Sequence, residues 1–280
     1  MPAVTLAGRA HITVTGGDAE DFLQGLITCD VISLPEGEAR AAALLTPQGK
    51  ILFDFLVSRA PSGGFLIEAG EEQRDALIKR LAMYRLRAAV EISPLAETET
   101  TITWDDAGDG AVDGRFLKAG KRVLRRPGAG GSDEAAAYDA LRIAHGIVES
   151  GKDFALSDVF PHDVLLDLSG GVSFRKGCFV GQEVVSRMQH RGTARRRPVI
   201  LRAAAPLPAP GTELIAEGKP VGTLGTVVGR DGLAIVRIDR LADAMHAGVP
   251  VLAGEVEVEA RLPEWTGLDF ADESAEAPTQ

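Results

Sequence analysis

Apolar and polar residues alternate from about residue 4 to 15, through His11-Ile12-Thr13-Val14, which predicts a strand with one buried face. Gly17-Asp18 then opens a helix, because Ala19, Phe22, Leu23, Leu26 and Ile27 recur at helical spacing as one apolar stripe. Residues 40–46 and 51–57 read as strands joined by a turn at Pro47-Gln48-Gly49, and Gly64-Phe65-Leu66-Ile67-Glu68 as a third strand. Glu71-Glu72-Gln73 starts a helix carrying Leu77, Ile78 and Leu81, after which a strand is expected over residues 86–92. Strands and helices mixed through short turns predict an α+β unit and not regular βαβ winding.

The later chain changes character. Residues 105–115 and 127–132 are rich in Gly and Asp and read as surface loops. Residues 135–145 form a helical pattern that stops at Gly146. From about 198 to 262 short β-rich runs alternate with Pro and Gly, the pattern of a small antiparallel barrel or sandwich. After Pro263 come Glu264, Asp269, Asp272, Glu273 and Glu276 with no basic residue, so the end of this acidic tail is expected to be disordered.

Composition narrows the function classes. At 280 residues the chain holds two or three domains with real cores. Its formal net charge of −10 argues against a nucleic-acid partner, and two Trp and two Tyr give no base-stacking platform. No apolar run reaches the length of a membrane span, and the start lacks the pattern of a signal segment. Cys29 and Cys178 lie far apart without a CxxC pair, which suggests a reduced, cytoplasmic protein. Five histidines, none at ligand spacing, give no metal signature, and two thiols are too few for a conventional iron–sulfur cluster.

Candidate chemistry concentrates in Phe174-Arg175-Lys176-Gly177-Cys178-Phe179-Val180-Gly181-Gln182-Glu183, running on to Arg187. A thiol becomes reactive when its anion is stabilised, and Arg175, Lys176 and a following helix N-terminus are groups that do so. Gly177 and Gly181 allow tight turns that would hold the sulfur at a loop apex; a small buried cysteine in a turn is the competing reading. Gln182-Glu183 would cap helix amides. Asp54 stands in the apolar run Ile51-Leu52-Phe53-Asp54-Phe55-Leu56-Val57, where a carboxylate must face solvent, pair with a cation or line a cavity. Arg187, Arg191, Arg195, Arg196 and Arg197 form a solvated basic face, a clamp for an anionic tail, or an RNA contact. Cys29 closes the first helix with no cation beside it and reads as structural.

The segment from Lys176 to Glu183 with Arg187 resembles the signature of the YgfZ family of folate-binding iron–sulfur assembly proteins, relatives of the glycine-cleavage T protein, an aminomethyltransferase. Residues 22–31 (Phe-Leu-Gln-Gly-Leu-Ile-Thr-Cys-Asp-Val), 45–54 (Leu-Thr-Pro-Gln-Gly-Lys-Ile-Leu-Phe-Asp) and Tyr84-Arg85-Leu86-Arg87 are similar to further landmarks, in family order. The resemblance implies a three-domain clover leaf around a tetrahydrofolate cavity. The first domain would be discontinuous (about 1–45 and 133–195), the second ferredoxin-like (about 46–132), and the third an antiparallel β-barrel (196–265), before the tail at 266–280.

It implies that Asp54 stands at or next to the carboxylate that contacts the reactive folate nitrogens, with Asp163, Gln182 and Arg187 as further cofactor-binding candidates and Cys178 and Lys176 as the catalytic pair. Two departures stand out. Ala144 replaces the pterin-binding glutamate of the transferase, and Pro161-His162-Asp163 carries a shortened carboxylate. The implied function is a tetrahydrofolate-binding accessory to iron–sulfur cluster assembly or repair, acting on assembly proteins or cluster-dependent enzymes. A folate-dependent one-carbon transferase and a non-catalytic interaction module are the alternatives.

Overall fold

The structure, a computed structural model, describes residues 2–105, 108–132 and 134–270. The last ten residues of the acidic tail, where disorder is expected, lie outside the described residues. The chain forms two compact units: Met1–Ala135 with Leu156–Pro161 and Leu166–Arg187, and Ala136–Ala155 with His162–Leu165 and Met188–Gln280.

In the first unit the elements follow in the order β1 (Ala3–Ala7), β2 (Arg9–Thr15), α1 (Ala19–Gln24), β3 (Glu38–Leu45), β4 (Ile51–Arg59), β5 (Phe65–Gly70), α2 (Arg74–Arg85), β6 (Glu91–Pro94), β7 (Glu99–Trp104), β8 (Ala111–Asp113), α3 (Gly114–Lys118) and β9 (Val123–Pro127). The strands make one mixed nine-stranded sheet in the order β1-β7-β9-β8-β3-β4-β5-β2-β6. β3 and β8 run parallel, whereas the β3–β4 hairpin pairs antiparallel, setting Ala43 opposite Asp54. The apolar stripe of α1 and its continuation (Phe22, Leu23, Ile27) packs with Leu77 and Leu81 of α2 and with Ile12, Val57 and Ile67 of the sheet. Each such side chain taken from water contributes about 2 kcal/mol. Inside the same unit Arg125 Nε donates to Glu68 Oε2 at 2.9 Å, Arg125 Nη1 to Asp113 Oδ2 at 3.3 Å and Arg9 Nε to Glu68 Oε1 at 2.9 Å.

Two expectations shift. The strand expected from residue 86 begins only at Glu91, because Leu86, at φ +44°, ends α2 in the left-handed region and a turn follows, Ala88 N–H donating to Arg85 O. The loop expected over 105–115 contains β8 and the start of α3. Asp113, which reads as a turn residue, caps that helix by accepting from Arg115 N–H at 3.1 Å.

The second unit contains most of α4 (Ala135–His145), whose end at Gly146 (φ +70°) matches the sequence pattern. Helix α5 (Gln182–Arg191) starts in the first unit and ends in the second. The β-rich region is a closed antiparallel barrel of β10 (Arg196–Ala203), β11 (Glu213–Ala216), β12 (Lys219–Val228), β13 (Asp231–Arg237), β14 (Val251–Ala253) and β15 (Val256–Arg261), with α6 (Ile238–His246) between β13 and β14. Its order is β10-β13-β12-β11-β14-β15, closed by β10 pairing with β15. Closure leaves no edge strand, which a sandwich would have. Leu268 and Phe270 pack against the barrel core, and Trp265 Nε1 donates to His145 O at 2.8 Å.

Candidate functional site

Cys178 is exposed and unpaired, between exposed Gly177 and buried Phe179. Cys29 is its opposite: fully buried in the core, with its thiol pushed up to about 12 by burial against the opposing pull of Lys176. The sequence placed Lys176 beside the Cys178 sulfur as an anion stabiliser. Its ammonium instead donates to Ile27 O and Cys29 O, both at 2.7 Å, and lies 5.4 Å from the Phe179 ring centre. Burial lowers it to about 8, against the pull of Cys29 and Asp30. A half-buried ammonium needs acceptors, and two backbone carbonyls of the 22–31 segment meet that need. Lys176 therefore ties the loop down to that segment.

The same segment holds the chain ahead of the loop. Thr28 Oγ1 donates to Gly171 O at 2.6 Å and accepts from Ala43 N–H at 2.9 Å, and Ser173 N–H donates to Thr28 O at 2.9 Å. The β3–β4 turn holds the chain behind it. At Gly181, φ +79°, a Cβ would stand 2.6 Å from Thr46 O and 3.0 Å from Leu45 Cβ. At Gly49, φ +82°, a Cβ would stand 2.9 Å from Val184 Cβ. Two of the sequence landmarks thus meet the Cys178 loop directly. Gly177 differs: a Cβ there would meet nothing within 4 Å, and nothing in the structure explains that glycine.

Asp54 is half-buried on β4, and its orientation is set by a residue the sequence reading missed. Gln73, only 4% exposed, donates through Nε2 to Asp54 Oδ1 at 3.1 Å and accepts from Asp54 N–H at 3.3 Å. An amide at the end of the polar run Glu71-Glu72-Gln73 looks like helix-start chemistry; only the fold turns it inward. A fixed carboxylate on an apolar strand fits the N–H groups of a reduced pterin, so Asp54 suits the ligand that the resemblance implies.

Of the other cofactor-binding candidates, Asp163 and Arg187 have charged partners of their own. Asp163, 2% exposed in a 3₁₀ turn, pairs with Arg196 at 2.9 Å and belongs to the second unit, whereas Asp54, Cys178 and Gln182 belong to the first. Arg187 donates to Glu183 one turn earlier on α5, and both side chains are more than half exposed, so the pair holds little and anchors no loop. Gln182 begins α5, its N–H donating to Phe179 O at 3.2 Å; the Glu183 carboxylate is turned to Arg187. The arginine run divides: Arg187, Arg191 and Arg195 are exposed, whereas Arg196 pairs with Asp163 and Arg197 donates to His162 O at 2.7 Å. Gly192, φ +60°, ends α5. Among the described residues no group of three or more His, Cys, Asp or Glu is arranged to hold a metal ion, and no helix is long and apolar enough to cross a membrane.

Comparison with known proteins gives two family matches: the GCVT N-terminal domain over residues 6–103 and the CAF17 C-terminal beta-barrel domain over residues 195–268. Among curated relatives, the mitochondrial iron-sulfur cluster assembly factor IBA57 of Homo sapiens is 30% identical, over 93% of this chain and 84% of that protein. The mitochondrial IBA57 homolog of Coccidioides immitis (strain RS) is 29% identical, over 94% of this chain and 82% of that protein. The crystal structure of glycine cleavage system aminomethyltransferase T from Bartonella henselae superposes with a TM-score of 0.71 at 18% identity, covering 94% of this chain and 85% of that one, so the two share a fold. The relatives are of the IBA57 type, where the motifs alone suggested YgfZ. They also overturn the cytoplasmic assignment, since they are mitochondrial proteins. Unpaired cysteines exclude a disulfide framework and do not choose among reducing compartments.

Proposed function

The chain belongs to the IBA57 family of iron–sulfur cluster assembly factors, and from that premise we propose that it serves cluster assembly or repair with Cys178 as its working thiol and tetrahydrofolate as its ligand. The contrast between the two cysteines carries the reading: one is sealed in the core, and the other is presented on a loop that two other signature segments hold in place. A thiolate is a soft ligand for cluster iron, and a single thiolate does not complete a cluster site. The cluster is then cargo, shared with an assembly protein or a cluster-dependent enzyme that supplies the remaining ligands.

Asp54, oriented by Gln73, would hold the pterin; bound tetrahydrofolate supplies nitrogens able to carry a one-carbon unit. Ala144 leaves out the second acid that the transferase applies to the ring, which favours binding without aminomethyl transfer. Complementation of a strain lacking this gene tests the thiol: Cys178→Ser is expected to leave cluster-dependent enzymes deficient, and full restoration overturns the thiol's role. Titration tests the ligand. Tetrahydrofolate at a hundred times its dissociation constant stabilises a binding protein by about 2.7 kcal/mol, and Asp54→Asn should reduce that gain. No gain in the unaltered chain would leave an interaction module.

A further inference from the structure

Residues 167–170 and 172–175, which lead into the Cys178 loop, border a cavity of about 890 Å³ that neither the thiol nor Asp54 lines. Asp30, Ser33, Glu38 and Arg40 form another wall, and Gly114, Leu117 and Lys118 of α3 a third. A space of this size accepts a small organic ligand.

Its charged groups divide by engagement. Arg40 donates through Nε to Glu38 Oε1 at 2.8 Å and through Nη1 to Asp30 O at 3.0 Å and Ser33 Oγ at 3.2 Å. The Asp30 carboxylate accepts from Gln24 Nε2 at 3.0 Å and Ile32 N–H at 3.2 Å. Lys118 and Arg175 differ: both are exposed, and neither side chain makes a hydrogen bond or ion pair with a described residue. The Lys118 stem passes Gly170, its Cε 3.9 Å from where a Cβ would stand. Phe174, Leu168 and Leu117, the last 52% exposed, add an aromatic and apolar surface to the same lining.

Unengaged cations call for an anion of matching charge, and the apolar wall calls for a body that leaves water with it. We propose that this cavity binds a small aromatic dianion, a phosphate or a dicarboxylate, with its charges toward Lys118 and Arg175 and its ring toward Phe174. Asp167, on the same lining, opposes such a ligand and limits its affinity.

Calorimetric titration of the full chain with phenyl phosphate, phthalate, inorganic phosphate and phenol tests this. At least one of the two aromatic dianions should bind, and the one that binds more tightly identifies phosphate or carboxylate as the recognised group. Inorganic phosphate and phenol, each lacking half of the recognition, should bind about tenfold or more weakly. Lys118→Gln and Arg175→Gln, both at exposed positions that leave the fold intact, should each weaken binding about fivefold, and Asp167→Asn should tighten it. The proposal is overturned if neither aromatic dianion binds, or if Arg187→Gln weakens binding as much as the two lining substitutions do.

Discussion

Gly177 and Gly181 flank the same cysteine, yet their backbones meet different surroundings. Alanine at 181 places a Cβ in the left-handed region and against the Thr46 carbonyl, which the β3–β4 hairpin holds in place. Gly181→Ala should cost about 3 kcal/mol, whereas Gly177→Ala should stay within about 0.5 kcal/mol. Denaturant midpoints at unchanged slope measure both, and equal effects would remove the packing account of the loop. Lys176 adds a pH dependence. Its folded value of about 8 lies below the ordinary 10.5, so between those limits the unfolded chain carries the extra proton. Its contribution to stability is therefore fully present above 10.5 and is lost as pH falls to about 8. The unaltered chain should gain stability relative to Lys176→Met across that window; a difference that is flat or of opposite slope would contradict the burial of this ammonium.

At the scale of elements, the second unit is held by a polar cluster that periodicity does not announce. Arg142 of α4 is fully buried; it donates to Asp153 Oδ2 at 2.7 Å and to Thr226 Oγ1 of β12 at 2.7 Å, and Asp153 Oδ1 accepts from Thr226 N–H at 2.7 Å. Burial alone would lower the arginine, but Glu149 and Asp153 outweigh it and hold the guanidinium charged. Arg142→Met leaves buried carboxylates without their cation and should cost about 3–5 kcal/mol, read as a lower unfolding midpoint. In the sequence this arginine is one letter in Leu141-Arg142-Ile143-Ala144, and neither spacing nor composition pairs it with a threonine 84 positions on. What was legible were the elements whose own residues decide them: the α1 stripe, the β3–β4 hairpin with its glycine turn, α4 with Gly146, and the β-rich third region. The exposure of Cys178 was one of two readings the sequence left open, and the structure decides it although Lys176 turns away from the sulfur. Gln73 under Asp54 and the inward turn of Lys176 were not legible, because each depends on a chain segment far away in sequence. The strand expected from Leu86 failed for a local reason: a leucine at positive φ is a rare choice that no propensity anticipates.

Over the whole molecule, 40 acidic against 30 basic residues give a net charge of −10, so mild acid removes self-repulsion and by itself favours the folded state. A second effect opposes it. Glu68, joined to Arg125 and Arg9, is buried, which alone would raise its carboxyl; the two guanidiniums outweigh burial and hold it well below the ordinary 4.5. A depressed folded value means that the stabilisation is complete above 4.5 and drains away as pH falls below it, since protons then bind the unfolded chain first. The repulsion term is spread over exposed, screened charges, whereas the Glu68 term is confined to one desolvated cluster that salt screens little. Below about 4.5 the cluster should therefore win, and stability should fall steeply. Glu68→Gln should lose about 3 kcal/mol at neutral pH, because Arg125 and Arg9 keep their charges without a carboxylate, and its acid limb should be flatter than that of the unaltered chain. Unfolding curves of the two chains from pH 7 down to about 3 decide the matter: convergence toward low pH is the expected outcome, and parallel curves would place the source of acid sensitivity outside this cluster.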